Sequence, residues 1–112
     1  ASHKLIHNIN HEKNYFEKFE KYNLDLWEKT FNTNLTGTML LTQIVGRNMI
    51  KFKKGNIINI ASDVGVISPD QRIYEKNIKK KYKGVFFNTP ASYSVSKSGI
   101  ISLTRFLSIF FI

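Results

Sequence analysis

A serine, a tyrosine and a lysine stand where they could exchange a proton with a substrate. Ser62 directly follows an apolar, β-branched run, and Tyr93 and Lys97 lie four residues apart. This spacing places two side chains next to each other on one face of a helix. A free phenol has a pKa of about 10, and a neighbouring ammonium favours its ionised form. The pair could therefore act as a general acid and base, while the Ser62 hydroxyl hydrogen-bonds the reacting oxygen.

Two helices and a strand are predicted to position these side chains. Apolar residues recur at three- and four-residue steps over residues 23–54, which predicts a long amphipathic helix. The run at 56–61 is typical of a central strand of a parallel sheet, buried on both faces, and ligands bind beyond the carboxyl ends of such strands. A second helix is predicted over 90–110, with Thr89 as its N-cap and Pro90 as its first residue.

The rest of the chain is expected to be less regular. Residues 1–22 are polar and are predicted to form an irregular lead-in, and residues 63–88 a long loop. Gly55 is expected to stop the first helix. Asn34 and Gly37 lie inside that helix, where both residue types cost stability relative to alanine. Either they are tolerated defects, or the helix bends or is closely approached at this point.

Composition excludes several classes of protein. Cysteine is absent, which rules out disulfide scaffolds and thiolate metal sites and makes the cytoplasm the default compartment. Hydrophobic residues make up 42% of the 112 residues, enough to bury a core, yet no apolar stretch approaches the roughly 20 residues that span a bilayer. His3, His7 and His11 would share one helical face, but the asparagines between them disfavour a helix, so no metal site is predicted.

The chain is strongly basic, with 17 Lys+Arg against 8 Asp+Glu and a formal net charge of +9. Such an excess could attract nucleic acid. The lysines concentrate at residues 51–54 and 76–83, and neither cluster has aromatic residues interleaved at the spacing of a recognisable nucleic-acid motif. A solvated surface is therefore the preferred interpretation, and binding of nucleic acid is the less favoured one.

Three stretches are informative because of their order along the chain. They are NTNLTG at residues 32–37, GNIINIASDVG at 55–65 and PASYSVSKSG at 90–99. Together they resemble the short-chain dehydrogenase/reductase family, over roughly residues 14–108. The resemblance implies an α/β fold, in which this chain is a fragment of a doubly wound parallel-sheet (Rossmann-like) domain arranged as long helix, strand, long loop and helix.

The resemblance implies a role for four residues. Tyr93 would give or take the proton of the alcohol or carbonyl oxygen. Lys97 would favour the ionised tyrosine and, together with Tyr93, bind the nicotinamide ribose of NAD or NADP. Ser62 would hydrogen-bond the substrate oxygen, and Asn34 would hold a water in a proton relay to the lysine. The implied activity is an NAD(P)-dependent interconversion of a secondary alcohol and a ketone.

Two departures from the family pattern shape these expectations. Ser62 and Tyr93 are 31 residues apart, farther than in many family members, so the loop between them carries an insertion. No glycine-rich turn for a pyrophosphate precedes the first helix, so the chain is expected to be a fragment of a longer enzyme or to depend on another chain. Residues 68–75 and 90–93 resemble a bacterial subgroup associated with flagellin-glycan and sugar modification, which suggests a polyol or activated-sugar substrate and Arg72 as a contact for an anionic group.

Two hypotheses from other classes of protein stay open. In the resembling family, the two long helices commonly pair with their copies in a second subunit, so a homo-oligomer acting on a small molecule is expected. The second helix begins with many small residues, a face that another helix can approach closely. An inactive, truncated chain could therefore serve as a dimerisation module. A basic nucleic-acid-binding protein is the less favoured alternative.

Overall fold

The computed structural model describes residues 15–75 and 87–111, and their regular structure is helical. In chain order the helices are α1 (Leu24–Phe31), a π-helical turn (Asn32–Thr36), α2 (Gly37–Phe52), α3 (Arg72–Glu75) and α4 (Ala91–Phe110). Short 3-10 turns occur at Phe19–Lys21 and Asp63–Gly65. The first long helix is thus continuous from residue 24 to residue 52, with a π turn inside it.

The start of α1 is capped by the side chain of Asn23. Its Oδ1 accepts hydrogen bonds from the backbone N–H groups of Asp25, at 2.8 Å, and Leu26, at 3.3 Å. These amides have no partner within the helix, so the cap satisfies two of the donors that a helix start leaves open. An asparagine before an amphipathic run is therefore sufficient to define where this helix begins.

The π turn lies where the sequence places two unfavourable helix residues. Asn34 is in the middle of the turn, and Gly37 is the first residue of α2. A Cβ at Gly37 would lie 3.4 Å from the carbonyl oxygen of Asn32, so the backbone is closely approached here. Single π turns inside α-helices are rare and often occur at functional sites. The two residues thus mark a local departure from α geometry.

The C-terminal end of α2 differs from the predicted glycine stop. The residue with left-handed backbone is Lys53, at φ 52° and ψ 33°, rather than Gly55. Gly55 instead packs against the side chain of Met49, which would have to move to accommodate a Cβ at position 55. The glycine therefore contacts the end of α2 without serving as its left-handed cap.

The buried side of α2 is not the apolar stripe that the periodicity predicts. Leu41 and Val45 belong to that stripe and are exposed, whereas Gly46 is buried. The physical reason is the neighbouring ring of Phe111, which would lie 2.7 Å from a Cβ at Gly46. Leu41 and Val45 line an open groove beside residues 56–60 instead.

Residues 56–61 belong to no helix or strand in the described part of the chain, and we call them the extended segment because their exposure alternates. Their exposure alternates as in a strand: Ile57 is half-buried, whereas Ile58 and Ile60 are 80% and 75% exposed. The prediction of burial on both faces is therefore wrong for this chain, because only one face of the segment is covered by helices. Whether the segment pairs as a strand stays a prediction.

The segment is nevertheless held against α4 by two hydrogen bonds. The Asn59 side chain donates to the Thr104 hydroxyl at 2.9 Å, and the Lys97 ammonium donates to the carbonyl oxygen of Ile60 at 3.0 Å. Both donors are side chains, so they fix the segment without the backbone pairing of a sheet. The extended run is in this way aligned with the catalytic helix that the sequence predicts.

The start of α4 also differs from the prediction. The residue at the N-cap is Pro90, in extended conformation at φ −65° and ψ 142°, and the helix begins at Ala91. Thr89 does not cap it, because its hydroxyl is paired with the Tyr74 hydroxyl at 3.1 Å. The Pro90 carbonyl accepts from the backbone N–H of Tyr93 at 3.1 Å, which closes the first turn.

The segment predicted as a loop over 63–88 contains regular structure in its described part. It opens with the 3-10 turn and contains α3, so the loop is partly ordered there, and the long loop over 63–88 stays a prediction. The lysines at 76–83 lie outside the described residues, as do His3, His7 and His11. In the described ranges no cluster of ligating side chains could hold a metal ion, and no helix is long and apolar enough to cross a membrane.

Candidate functional site

Tyr93 and Lys97 share one face of α4, close to its N-terminal end. The Lys97 Nζ lies 5.8 Å from the centroid of the Tyr93 ring, within the range of a cation–π contact. Both side chains are half-buried. The helix thus brings the phenol and the ammonium together as their four-residue spacing predicts.

The extended segment brings Ser62 to the same helix. Lys97 donates to the carbonyl of Ile60, only two residues before Ser62. The 3-10 turn that follows packs directly on α4, since a Cβ at Gly65 would lie 2.9 Å from the carbonyl carbon of Lys97 and from the backbone nitrogen of Ser98. A glycine is needed at position 65 because backbone meets backbone there.

The Ser62 hydroxyl is engaged locally in this structure. It donates to the Asp63 carboxylate at 3.0 Å, and the same carboxylate oxygen accepts the backbone N–H of Val64 at 2.8 Å. Asp63 therefore fixes the turn in which the serine sits. A substrate oxygen would have to replace Asp63 as the acceptor of the Ser62 hydroxyl proton.

Asn34 reaches α4 from the π turn. Its side-chain nitrogen donates to the Ser96 hydroxyl at 3.1 Å, and that hydroxyl donates to the carbonyl of Tyr93 at 2.8 Å. Ser96 is completely buried. Asn34 is therefore linked through the Ser96 side chain to the backbone of Tyr93. Ser96 directly precedes Lys97 in the chain.

Close helix packing supports this link. Gly99 follows one turn after Ser96, and a Cβ there would lie 2.8 Å from a methyl carbon of Leu35 in the π turn. The small residues of α4 thus receive the first long helix of the same chain. The small residues of α4 predict that another helix packs on this face. In the structure that helix is α1 with its π turn.

A cluster of phenols surrounds the start of α4. The buried Ser92 hydroxyl donates to the Tyr22 hydroxyl at 3.1 Å. Burial raises the pKa of Tyr22, and its hydrogen bonds with Ser92 and Thr30 act in the opposite direction. Burial, with lesser contributions from Tyr22 and Tyr93, raises the pKa of Tyr15 to about 12. Burial thus favours the neutral form of both Tyr15 and Tyr22.

Aromatic contacts attach the lead-in to the residues that precede α4. The rings of Phe16 and Phe87 meet edge to face with centroids 4.9 Å apart, and the Asn88 side chain donates to the carbonyl of Phe16. Residues 15–22 therefore do more than lead into the first helix, because they cover the beginning of the second.

The sequence predicts four site residues, and it gives no indication of the residues that contact them in the structure. The Ser96 hydroxyl accepts the hydrogen bond of Asn34, and the Tyr22 hydroxyl accepts that of Ser92. The close packing at Gly65 could have been predicted, since a glycine shortly after a strand indicates that another backbone approaches closely. Nothing in the spacing links Tyr22 to Ser92, which lie 70 residues apart.

Comparison with known proteins places this arrangement in a family context. A protein-family model described as short chain dehydrogenase matches residues 3–75, about two thirds of the chain. The matched region contains Asn34 and Ser62, and it ends before Tyr93 and Lys97. The match therefore covers the first long helix and the extended segment.

Curated relatives extend the comparison. The chain is similar to an NAD-dependent glycerol dehydrogenase of Listeria innocua, with 34% identity over 92 residues, or 82% of this chain and 29% of that protein. It is 28% identical to a D-threitol dehydrogenase of Mycolicibacterium smegmatis over 89 residues, covering 80% of this chain and 27% of the relative. It is 35% identical to the 3-oxoacyl-[acyl-carrier-protein] reductase FabG of Aquifex aeolicus over 82 residues, covering 73% and 26%.

The chain spans less than a third of the length of these relatives. No solved structure gives a significant match to it.

Proposed function

Because the chain belongs to the short-chain dehydrogenase family, we propose that it forms the catalytic segment of an NAD(P)-dependent oxidoreductase that interconverts a secondary alcohol and a ketone. The observation that carries this proposal is the position of Lys97. Its ammonium lies 5.8 Å from the Tyr93 ring centroid and is hydrogen-bonded two residues before Ser62. These two contacts support a site in which Tyr93, Lys97 and Ser62 act on one substrate oxygen.

In this proposal Tyr93 is the general acid and base. Its hydroxyl gives a proton to the carbonyl oxygen during reduction and takes it back during oxidation, a contribution typically worth about a hundredfold to ten-thousandfold in rate. Ser62 donates a hydrogen bond to the same substrate oxygen after leaving the Asp63 carboxylate. Such a donor stabilises the charge that develops on the oxygen in the transition state.

Lys97 and Tyr93 have the right donors for the ribose of a nicotinamide nucleotide. An ammonium has three N–H donors, and Lys97 uses one of them on the Ile60 carbonyl, so two are left for ribose hydroxyls. When bound, the nicotinamide supplies or accepts the hydride. Asn34 contributes indirectly. It donates to the Ser96 hydroxyl, which donates to the Tyr93 carbonyl, and these two hydrogen bonds orient this turn of the helix.

We assign a polyol or sugar-like alcohol as the substrate class. The names of two relatives, a glycerol dehydrogenase and a D-threitol dehydrogenase, support this assignment. Arg72 was expected to contact an anionic group, but its guanidinium donates two hydrogen bonds of 2.8 Å to the Asp70 carboxylate.

A substitution of the tyrosine tests the proposal in the enzyme that carries this segment. Tyr93→Phe removes only the hydroxyl, so we expect kcat for polyol oxidation to fall at least about a hundredfold. The dissociation constant for NAD(H), measured by fluorescence titration, should change much less. Ser102→Ala is the matched control, because it removes an exposed hydroxyl from the same helix. Near-normal turnover of Tyr93→Phe would contradict the assignment.

A second role, dimerisation through the two long helices, is supported by exposed apolar side chains. Leu40, Ile44, Phe106 and Phe110 are between 49% and 65% exposed. Contiguous exposed apolar surface on a globular protein commonly marks an interface. The proposed partner is a second copy of the chain, packed helix to helix.

A further inference from the structure

The side chain of Gln71 holds both backbone groups of Thr89. Its Nε2 donates to the Thr89 carbonyl at 2.8 Å, and its Oε1 accepts the Thr89 N–H at 2.9 Å. Both bonds have ordinary lengths for N–H···O hydrogen bonds. One carboxamide thus satisfies a donor and an acceptor of a single residue, as a neighbouring strand would. We call this pair of bonds the Gln71 clip.

The clip is itself held in place by its own turn and by Tyr74. The backbone N–H of Tyr74 donates to the Gln71 carbonyl at 3.1 Å, and the Asp70 carboxylate accepts the N–H of Arg72 at 3.1 Å. The Tyr74 hydroxyl is paired with the Thr89 hydroxyl at 3.1 Å. Gln71 and Tyr74 are three residues apart, so they reach Thr89 from the same side of the turn.

Thr89 is connected to Tyr93 through little more than backbone. The next residue, Pro90, is buried, and its ring restricts φ, which is −65° here. The Pro90 carbonyl then accepts the N–H of Tyr93 at 3.1 Å. A displacement of Thr89 is therefore transmitted to the first turn of α4, in which the tyrosine lies.

The clip spans most of the long connection between Ser62 and Tyr93. Thirty residues separate these two side chains, whereas eight separate Ser62 from Gln71 and three separate Thr89 from Tyr93. A longer flexible connection costs more entropy to close. By joining residues 71 and 89, the clip shortens the connection between Ser62 and Tyr93 to the two segments 62–71 and 89–93.

We propose that Gln71 is a positioning residue for Tyr93, acting through Thr89 and Pro90. This inference rests on the proposed function, since it assigns a purpose to Gln71 in the same proton transfer. A general acid must lie within hydrogen-bond reach of the oxygen it protonates, and a misplacement of about 1 Å can cost a hundredfold in rate. Gln71 touches neither the substrate nor the nicotinamide.

Two substitutions of Gln71 test the proposal in the enzyme that carries this segment. Gln71→Ala removes both bonds of the clip, and Gln71→Glu keeps the acceptor but turns the donor into a carboxylate facing the Thr89 carbonyl. We expect both to lower kcat by about tenfold to a hundredfold, with KM for the nucleotide within about twofold of the wild-type value. Asn48→Asp makes the same amide-to-carboxylate change at an exposed position of α2 and should leave kcat unchanged.

The pH profile separates positioning from a general loss of structure. A protonated glutamic acid can again donate to the Thr89 carbonyl, and this hydrogen bond favours the neutral form of the side chain. The kcat of Gln71→Glu relative to wild type should therefore recover as the pH is lowered from 8 towards the usual glutamate pKa of about 4.3. The Gln71→Ala enzyme has no such group, so its relative kcat should stay low throughout.

Hydrogen exchange at the Thr89 amide distinguishes the possible failures. Exchange should be faster in Gln71→Ala than in wild type, because the acceptor of this N–H is lost. If exchange is faster but kcat equals that of wild type, the positioning role is overturned and the proposed function stands. If the wild-type enzyme fails to oxidise any polyol with NAD or NADP, the proposed function is overturned, and the role of Gln71 with it.

Discussion

Tyr15 lies where a phenol is difficult to ionise. It is partly buried next to Tyr22 and Tyr93, and burial, followed by the charges that these phenols can carry, raises its pKa from 10.0 to about 12. A group whose pKa is higher in the folded chain than in the unfolded chain contributes stability that is complete while both states keep the proton. This contribution is lost as the unfolded chain releases its proton at higher pH. The ionisation of Tyr15 is therefore coupled to folding at alkaline pH.

The sign of this coupling gives a pH prediction. Between pH 10 and pH 12 the unfolded chain has released the Tyr15 proton and the folded chain keeps it, so the unfolded state binds fewer protons. The free energy of unfolding should fall as the pH rises through this window, and the contribution should be complete below pH 10. Denaturant titrations at several pH values measure it.

A variant is needed as the control, because the free energy of unfolding can depend on pH through more than one group. Tyr15→Phe removes the phenol and keeps the ring. Its free energy of unfolding should depend less steeply on pH than that of the wild-type chain. Equal slopes in the two proteins would show that Tyr15 ionises as easily in the folded chain as in the unfolded one.

Individual side chains were predictable from the sequence where short-range spacing decides their position. Four residues of helix bring Lys97 to Tyr93, and this contact is present. The contacts of Tyr22 with Ser92 and of Gln71 with Thr89 join residues 70 and 18 positions apart. Such pairs depend on how the elements pack, and neither partner carries a local signal for it.

The ends of the helices show where element prediction from sequence fails. Asn23 caps α1 because a side-chain acceptor before an amphipathic run acts locally. At the other end, Lys53 takes the left-handed conformation two residues before the available glycine. Gly55 is occupied by the packing of Met49, and this tertiary contact could not be read from composition. The same reason, a neighbour across the fold, keeps Thr89 from capping α4.

A substitution at this helix end should stabilise the chain. Lys53 has φ 52°, and left-handed backbone costs a residue with a Cβ roughly 1–2 kcal/mol relative to glycine. Lys53→Gly removes this strain but adds flexibility to the unfolded chain, so we expect a net gain of about 0.5–1 kcal/mol in the free energy of unfolding. Thermal melting followed by circular dichroism measures it.

Lys54→Gly is the matched control for this experiment. It makes the same change one residue later, where φ is not positive, so only the added flexibility of the unfolded chain remains. This variant should be neutral or slightly less stable than wild type. If both glycine variants change stability by the same amount, the strain assigned to Lys53 is absent.

At the scale of the whole molecule, the chain exposes much of its apolar surface. The described core contains few buried apolar side chains, namely Leu26, Pro90 and Ile100, and the buried polar side chains are those of small serines and threonines. A groove of about 350 Å³ between α2 and α4 is lined mostly by apolar side chains, among them Phe106 and Phe110, together with Gln43 and Arg47. Exposed apolar surface of this kind commonly marks a protein interface.

Dimerisation through this groove predicts the effect of a charge placed in it. Phe106 is 64% exposed and stacks on Phe110, with ring centroids 5.8 Å apart. Phe106→Glu should raise the dimer dissociation constant at least about thirtyfold, which corresponds to the loss of an interface hot spot of about 2 kcal/mol. Analytical ultracentrifugation over a range of concentrations measures this constant.

Phe19→Glu serves as the control for dimerisation. Phe19 is 76% exposed but lies in the 3-10 turn before α1, outside the two long helices. This variant should sediment as the wild-type chain does. A wild-type chain that stays monomeric at high concentration would contradict the proposed interface directly.

The described residues include only part of the positive charge of the chain. Of the two lysine clusters, residues 76–83 lie outside the described part of the chain. The alternatives of nucleic-acid binding and of a solvated surface therefore stay predictions, as does the cytoplasmic compartment.

The extended segment at 56–61 has a practical consequence for anyone who produces this chain. In the described part of the chain its backbone lacks a strand on either side, and Ile58 and Ile60 are 80% and 75% exposed. An open, flat and apolar edge is a template for addition of strands from other molecules and so for aggregation. Refolding yield should therefore fall with protein concentration, and Ile58→Lys should improve solubility without touching the proton-transfer residues.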